Sequence, residues 1–285
     1  MDIQSKIILI SGPTASGKSG FAVNLAKKIN GEIINADSMQ VYEEFKALTA
    51  RPSLIEQKKV KHHLYGFLSV KKKFSTGQWL KLATKKIKEI QKKGNIPILV
   101  GGTGLYFKAL TDGLVKIPKI SHKKRKMIIN LQNQLGQVKF YKKLLQIDPK
   151  IKVFVNSNDS QRSIRAYEVK WFTGRSLLDW YKDTKSIFLK DEFIKIYIDC
   201  PKNLLLDRIR IRAKKMLPRG IKEVKKLKNI RVPLNNSSTK IIGIKEIKNF
   251  LDKKLNKDQT VELIVIKTRQ YAKRQATWAR GQMKD

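Results

Sequence analysis

Cysteine is almost missing from this chain. Cys200 is the single thiol among 285 residues, so no intramolecular disulfide can form and no cysteine pair exists for a zinc site. It reads as a buried structural thiol. Histidine is nearly as scarce, with only His62, His63 and His122. The first two are adjacent, and neighbours on a strand point to opposite faces, so they are not expected to share a metal. No apolar run reaches the roughly eighteen residues that a membrane span requires. The start, MDIQSKIILISGPT, opens on an acidic residue and enters a strand-like run. A signal peptide would need a basic start, a longer apolar stretch and a small-residue cleavage site; the chain reads as cytoplasmic. Acidic residues are few: 23 Asp and Glu stand against 62 Lys and Arg, a formal net charge of +39. Such a field attracts polyanions, nucleic acid among them. Lysine, isoleucine and asparagine are all abundant, so compositional drift is the alternative source of that charge, with much of the lysine as solvated surface.

What remains is ample for a folded core. Hydrophobic residues make up 41% of the chain, and 285 residues suit one large domain or a core carrying an inserted one. KIILISG reads as a buried strand that leads through GPTASGKS into a helical stretch, FAVNLAKKIN, ending near Gly31. EIINADS is a second strand, and a polar, lysine-rich region containing HHLYGFLSV follows it. Residues 78–92 read as a helix, with Trp79, Leu82, Ala83, Ile87 and Ile90 near helical spacing, and IPILVGG as a third strand. Strands alternating with helices predict a parallel sheet covered on both faces. The pattern changes after Gly113. Helices are expected at 123–135, 138–145 and 159–173, punctuated by Pro118, Gly136, Pro149 and Gly174, with no strand before about residue 190. FIKIYIDC resumes the strand pattern. A helix from Pro201 to about Leu217 follows, then two more, the last from Gln259 to about Arg280. The expected fold class is α/β: a P-loop core (residues 1–114 and 191–285) with a parallel sheet and helices on both faces, interrupted by an all-helical insertion (115–190).

The run Gly12, Pro13, Thr14, Ala15, Ser16, Gly17, Lys18, Ser19 fits GxxxxGK[ST] between a strand and a helix. Its glycines let the backbone curl so that successive N–H groups point at phosphate oxygens. The following helix adds the partial positive charge of its N-terminus. Lys18 supplies a point charge to phosphate, and Ser19 a hydroxyl ligand for Mg2+. By itself the loop suggests a nucleotide-binding, ATP-binding protein, yet it does not identify the phosphate compound. A kinase would also need a carboxylate for its metal. Asp37, ending EIINAD, and Asp199, ending FIKIYID, are the candidates, and Asp199 is the better placed to begin a turn before Pro201.

Further strings follow in order. They are NADSMQVY at 35–42, LTARPS, HHL ending at Leu64, PILVGGTGLYFKALTDGL at 97–114, DSQRSIRAYEVKWFTG at 159–174, GIKEI, and TRQYAKRQATWAR near the end. With the loop they resemble the bacterial tRNA dimethylallyltransferase family over nearly the whole chain. The resemblance implies prenyl transfer. The dimethylallyl group of dimethylallyl diphosphate passes to the exocyclic amine of the adenosine 3′-adjacent to the anticodon, in tRNAs reading codons that begin with U, and pyrophosphate leaves. It also implies Mg2+ as cofactor and the tRNA anticodon stem-loop as partner, gripped by a helical insertion. A monomer is expected.

Under that resemblance Asp37 takes the proton of an adenine amine whose lone pair is delocalised into the ring; magnesium ligation is the other reading of this carboxylate. Lys18, the loop amides and Mg2+ at Ser19 face the charge that develops on the leaving diphosphate. Thr103 of GGTG matches the family threonine near the bridging oxygen, and it equally suits the N-cap of a helix opening at Gly104. Arg212, in RIRIRAKKML, matches the diphosphate-facing arginine, with Arg208 and Arg210 competing for the role. The target base must leave the anticodon stack for a pocket. In the segment Asp37, Ser38, Met39, Gln40, the glutamine suits a hydrogen bond to that base. Gln161, Arg162, Ser163, Ile164 and Arg165 match a tRNA-contacting segment, with Arg162 and Arg165 one turn apart; an ordinary solvated helix start is the bland alternative. Arg125, in a KKR run, is a further contact candidate. The stretch from Lys240 to Lys245 matches another contact region, but Ile244 stands where an aromatic is usual, which leaves a phosphate contact to the lysines. Arg51 stands where lysine is common and keeps the charge. The final helix, with Arg269 and Lys273 four apart and Trp278 and Arg280 beyond, fits a packed basic helix or a channel wall. Two rival functions remain. One is a P-loop kinase of a nucleoside or small metabolite, which would consume ATP. The other is a non-catalytic basic RNA-binding protein with a vestigial loop.

Overall fold

Five short strands form one parallel sheet in the order β3-β2-β4-β1-β5: β1 (Ile7–Ser11), β2 (Gly31–Asn35), β3 (His62–His63), β4 (Ile96–Gly101) and β5 (Phe193–Tyr197). This computed structural model describes residues 3, 5–227, 230, 232 and 236–283; Asp2, the acidic residue of the N-terminal reading, lies outside them. Ten α-helices are described: α1 (Lys18–Lys28), α2 (Leu54–Lys59), α3 (Thr76–Gln91), α4 (Gly104–Thr111), α5 (His122–Ile147), α6 (Ser160–Thr173), α7 (Leu177–Lys182), α8 (Lys202–Leu227), α9 (Ile244–Leu251) and α10 (Lys257–Gln282). Among the described residues, no helix is long and apolar enough to cross a membrane.

The chain divides into two compact units, Met1–Thr111 with Phe188–Asp285, and Asp112–Ile187. The limits drawn from the sequence, at 114 and 190, fall slightly further along. In the first unit the alternation of β1 explains both helical layers. Ile7 and Leu9 pack with Trp79, Ala83 and Ile87 of α3, Phe107 of α4 and Ala279 of α10. Ile8 and Ile10, pointing the other way, pack with Ala22, Val23 and Ala26 of α1. Every residue of β1, β2 and β4 is buried, as expected where a parallel sheet is covered on both faces. A third cluster joins α8, α9 and α10 to Val41, Tyr42, Phe45 and Leu48 from the segment after β2. The second unit has its own core of Ile128, Phe140 and Leu144 from α5 with Ile164, Tyr167 and Val169 from α6.

Several elements differ from the sequence reading. The first helix begins at Lys18, directly after Gly17, whose φ of 95° is the left-handed turn that ends the loop. The two helices expected at 123–135 and 138–145 are one element, α5, broken only at Gly136 (φ 70°, ψ 166°). The helix expected to stop at Leu217 continues through Pro218 to Leu227. A proline inside a helix costs about 3 kcal/mol. Here the buried stripe Ile209, Ala213, Leu217, Gly220, Val224 and Leu227 runs unbroken past it, and its four larger side chains, Ile209, Leu217, Val224 and Leu227, contribute about 1.5–3 kcal/mol each on full burial. Within the lysine-rich region the short α2 is held by a capping box of Ser53 and Glu56, and His62–His63 pair with Ile33 and Ile34 as β3.

Candidate active site

The C-terminal ends of the strands in an open α/β sheet are where ligands bind, and here they open into a cavity of about 640 Å³. The loop 12–19 follows β1. A Cβ on Gly12 would stand 2.7 Å from the Ile198 carbonyl oxygen, so the loop lies hard against the chain after β5 and tolerates no side chain there. Thr14 is held twice: its N–H donates to Gln275 Oε1 at 2.8 Å, and its hydroxyl accepts from Arg212 at 2.7 Å. Lys18 donates to the Pro13 carbonyl at 3.3 Å. Burial pushes the Lys18 ammonium down to about 8, helped by the Arg212 charge and opposed by Asp37. Arg212 is likewise lowered by burial, against the pull of Asp37. These are cations gathered where water is scarce, which is favourable only if an anion joins them.

Of the three competing arginines, Arg208 and Arg212 lie one turn apart on α8 and both line the cavity, whereas Arg210 does not line it. Arg208 donates to the Ser16 carbonyl at 3.3 Å and reaches the buried Cys200 sulfur at 3.8 Å. Ala15, Gly17, Lys18 and the exposed Ser19 line the same cavity. Ser16 is buried, and its hydroxyl has no hydrogen-bond partner.

Asp37 sits just past β2 and also lines the cavity. The fully buried Asn35 fixes its turn: Oδ1 accepts from the Asp37 N–H at 2.8 Å, and Nδ2 donates to the Asp37 and Leu64 carbonyls at 3.0 and 2.9 Å. One carboxylate oxygen of Asp37 accepts from the Met39 N–H at 2.9 Å. Thr103 does not cap α4 with its side chain. Its hydroxyl accepts from the Ser38 N–H at 2.9 Å and donates to the Ser38 hydroxyl at 3.2 Å, which ties the turn after β4 to the turn after β2. Gln40 lines the cavity too, but its amide donates to the Thr49 and Ala50 carbonyls at 2.9 and 3.4 Å. Its amide nitrogen is thereby engaged in holding that turn. Asp199 accepts from the Cys200 N–H at 2.9 Å, a turn role, and is not part of the cavity lining.

One feature escaped the sequence reading, and one alternative that reading left open is resolved. Leu48, Ile209, Ala213, Met216, Ile241 and Ile264 give the cavity an apolar wall. The final helix is a channel wall: Thr268, Tyr271 and Arg274 line the cavity, while Arg269 and Lys273 are exposed on other faces. Burial and the nearby Asp37 raise the Tyr271 hydroxyl well above the ordinary tyrosine value, so it remains protonated. The spacing Thr268, Tyr271, Gln275, Trp278 was the available signal, one face of a helix read at intervals of three and four. Lys240 lines the cavity, Lys245 is exposed on α9, and Ile244 is buried in the core instead of facing a ligand.

In the helical unit Asp159 caps α6 and pairs with Arg162 at 3.0 Å; Arg165 pairs with the buried Glu168 at 3.0 Å. Ser163 and Ile164 are buried, and the Ser163 hydroxyl accepts from Gln137 at 3.1 Å. Packing therefore takes the two middle side chains of the expected contact segment, and Gln161, Arg162 and Arg165 are its outward members. Arg125 is exposed on α5. His62 and His63 each have a separate partner, the Val60 carbonyl and Glu32. Among the described residues no group of three or more His, Cys, Asp or Glu is placed to hold a metal. The Ser19 hydroxyl and Asp37 on one cavity do suit Mg2+, which keeps several waters and takes few protein oxygens beside substrate phosphates.

The sheet, the loop and the cavity together define an α/β protein of the P-loop class. The model of the IPP transferase family matches residues 40–282. A tRNA dimethylallyltransferase of Pelagibacter ubique is 58% identical over 284 residues, covering 99% of this chain and 91% of that protein. One from Rickettsia conorii is 42% identical, covering 99% and 78%. Among solved structures, the full-length tRNA isopentenylpyrophosphate transferase of Bacillus halodurans aligns with a TM-score of 0.70 at 34% identity, covering 98% of this chain and 88% of that one. A eukaryotic dimethylallyltransferase acting on tRNA aligns with a TM-score of 0.81 at 30% identity, covering 96% and 69%. The chain belongs to the IPP transferase family.

Proposed function

We propose that this chain transfers the dimethylallyl group from dimethylallyl diphosphate to the exocyclic amine of the adenosine 3′-adjacent to the anticodon, in tRNAs reading codons that begin with U. Pyrophosphate is released. The observation that carries this reading is a single cavity joining the phosphate loop and its arginines, the Asp37 carboxylate and an apolar wall. A phosphoryl transferase has no need of the apolar wall; an allylic diphosphate needs both.

In this reading the loop, Lys18, Arg208 and Arg212 hold the diphosphate, and the apolar side chains receive the five-carbon group. The amine nitrogen bonds to the allylic carbon as the carbon–oxygen bond breaks, and the electron pair of that bond leaves with pyrophosphate. Asp37 accepts the amine proton. The fixed cations are worth most when the leaving charge is fully developed. Mg2+, held by Ser19 and the diphosphate, would neutralise part of that charge. Gln161, Arg162, Arg165 and Arg125, with Lys240 and Lys245, contact the anticodon stem-loop, and the protein acts as a monomer.

The test is direct. Purified protein with Mg2+, labelled dimethylallyl diphosphate and tRNA should place the label on tRNA. No label on tRNA, with hydrolysis of added ATP instead, would overturn the transferase reading.

A further inference from the structure

Gln275 has no assigned part in the chemistry above, yet its side chain is anchored at both ends of its amide. It is 5% exposed. Oε1 accepts from the Thr14 N–H at 2.8 Å, and Nε2 donates to the Gly102 carbonyl at 3.2 Å. Thr14 belongs to the phosphate loop, and Gly102 immediately precedes Thr103. One planar amide thus ties the phosphate loop to the turn that carries Thr103.

The glycines of GGTG record the same contact. A Cβ on Gly102 would stand 1.9 Å from Gln275 Nε2, and one on Gly104 would stand 2.3 Å from the Trp278 ring. Both positions are bare because α10 lies directly on the turn. Tyr271, one helical turn earlier, lines the cavity beside them, and Thr103 and Gln275 partly oppose the burial that raises its hydroxyl. Thr14 is meanwhile held from its other side by Arg212. Loops of this type offer their amides to phosphate; here the Thr14 amide is already taken.

We propose that Gln275 is a positioning residue whose amide sets the separation between the phosphate loop and the Thr103 turn. Only glutamine offers one acceptor and one donor at this length. Methionine fills similar space with neither. Glutamate keeps the acceptor for Thr14 but sets a second acceptor against the Gly102 carbonyl. The kinetic arm of the test rests on the transfer reading; the exchange arm does not.

Gln275→Met and Gln275→Glu should lower kcat about 10–100-fold, the cost of a misplacement on the ångström scale, while KM for dimethylallyl diphosphate changes less than about threefold. Affinity for tRNA should stay near wild type, and the melting temperature should fall by only a few degrees for the buried groups left unpaired, with the variants still folded at the assay temperature. Gly102→Ala, which must displace the amide, should lower kcat similarly and add little in a Gln275→Ala background, since the two changes break one contact. Wild-type kcat in Gln275→Met, or additive effects of Gly102→Ala and Gln275→Ala, would overturn the proposal. Hydrogen exchange with inorganic pyrophosphate gives the second arm. Pyrophosphate should slow exchange in both 12–19 and 101–107 of the wild type, but only in 12–19 of Gln275→Met. Equal protection of 101–107 in the two proteins would overturn the proposal. If the wild-type protein transfers no prenyl group, the functional reading fails and the exchange result alone decides the role of Gln275.

Discussion

At the N-terminal end of the sheet, Glu32 is buried with both carboxylate oxygens occupied. His63 bonds one at 2.6 Å and Asn95 the other at 2.8 Å, with Lys61 at 3.6 Å. Burial alone would raise the Glu32 carboxyl, but the hydrogen bonds from His63 and Asn95, with the charges of His63 and Lys61, outweigh it and hold the group below its ordinary value. At the C-terminal end the cations and the carboxylate are not matched in this way. Lys18 and Arg212 are both desolvated beside each other, and the hydrogen bond found for the Asp37 carboxylate comes from the Met39 amide. A charge that is fully satisfied internally contributes to stability. A charge that is buried and left waiting raises the free energy of the empty protein and is offset when a ligand of opposite sign arrives.

Breaking the open end should cost activity and leave the fold intact. Asp37→Asn should lower transfer by about 10²–10⁴-fold, with tRNA affinity within about twofold by filter binding. Equal loss of affinity and turnover would make Asp37 a binding residue. Arg212→Ala removes one fixed donor and should lower transfer by about 10²-fold, with little change in denaturant midpoint. Breaking the closed end should do the reverse. His63→Ala strips a buried carboxylate of one partner and should cost about 1–3 kcal/mol in urea unfolding, with turnover unchanged well below the melting temperature. The same pair predicts an acid response. Because the folded-state pKa of Glu32 lies below its ordinary value of 4.5, its contribution is complete above that value and is lost as pH falls through the folded one. Glu32→Gln should therefore flatten the acid side of the stability curve; an unchanged slope would remove Glu32 from the account. The smallest effect belongs to Lys61→Ala. That ammonium is 69% exposed, and its loss should cost under about 0.5 kcal/mol.

The strands other than β3, the phosphate loop and the helical character of residues 112–187 were legible because each is carried by local pattern: short apolar runs, a glycine-bracketed Lys-Ser and a change of period. Asp37 stood out as a strand-end carboxylate, but the roles given to it, Thr103 and Arg212 came only through resemblance. The continuation of α8 past Pro218 was not legible, since a proline is a local signal and the stripe that overrides it pays off only against α9 and α10. The contact segment 161–165 failed in the middle for a related reason. Its string names residues in order, but the helix turns Ser163 and Ile164 inward.

The sequence by itself determined that a phosphate-binding turn stands between a strand and a helix, that a helical segment interrupts an α/β core, and that the chain is strongly basic. Those properties reside in neighbouring residues and in their sum. Only the tertiary structure decided that Arg208 and Arg212 share the loop while Arg210 does not, that Gln40 holds a turn, and that Gln275 links residues 261 and 173 positions away. Such facts depend on which helix face meets which turn, and packing over the whole core sets that.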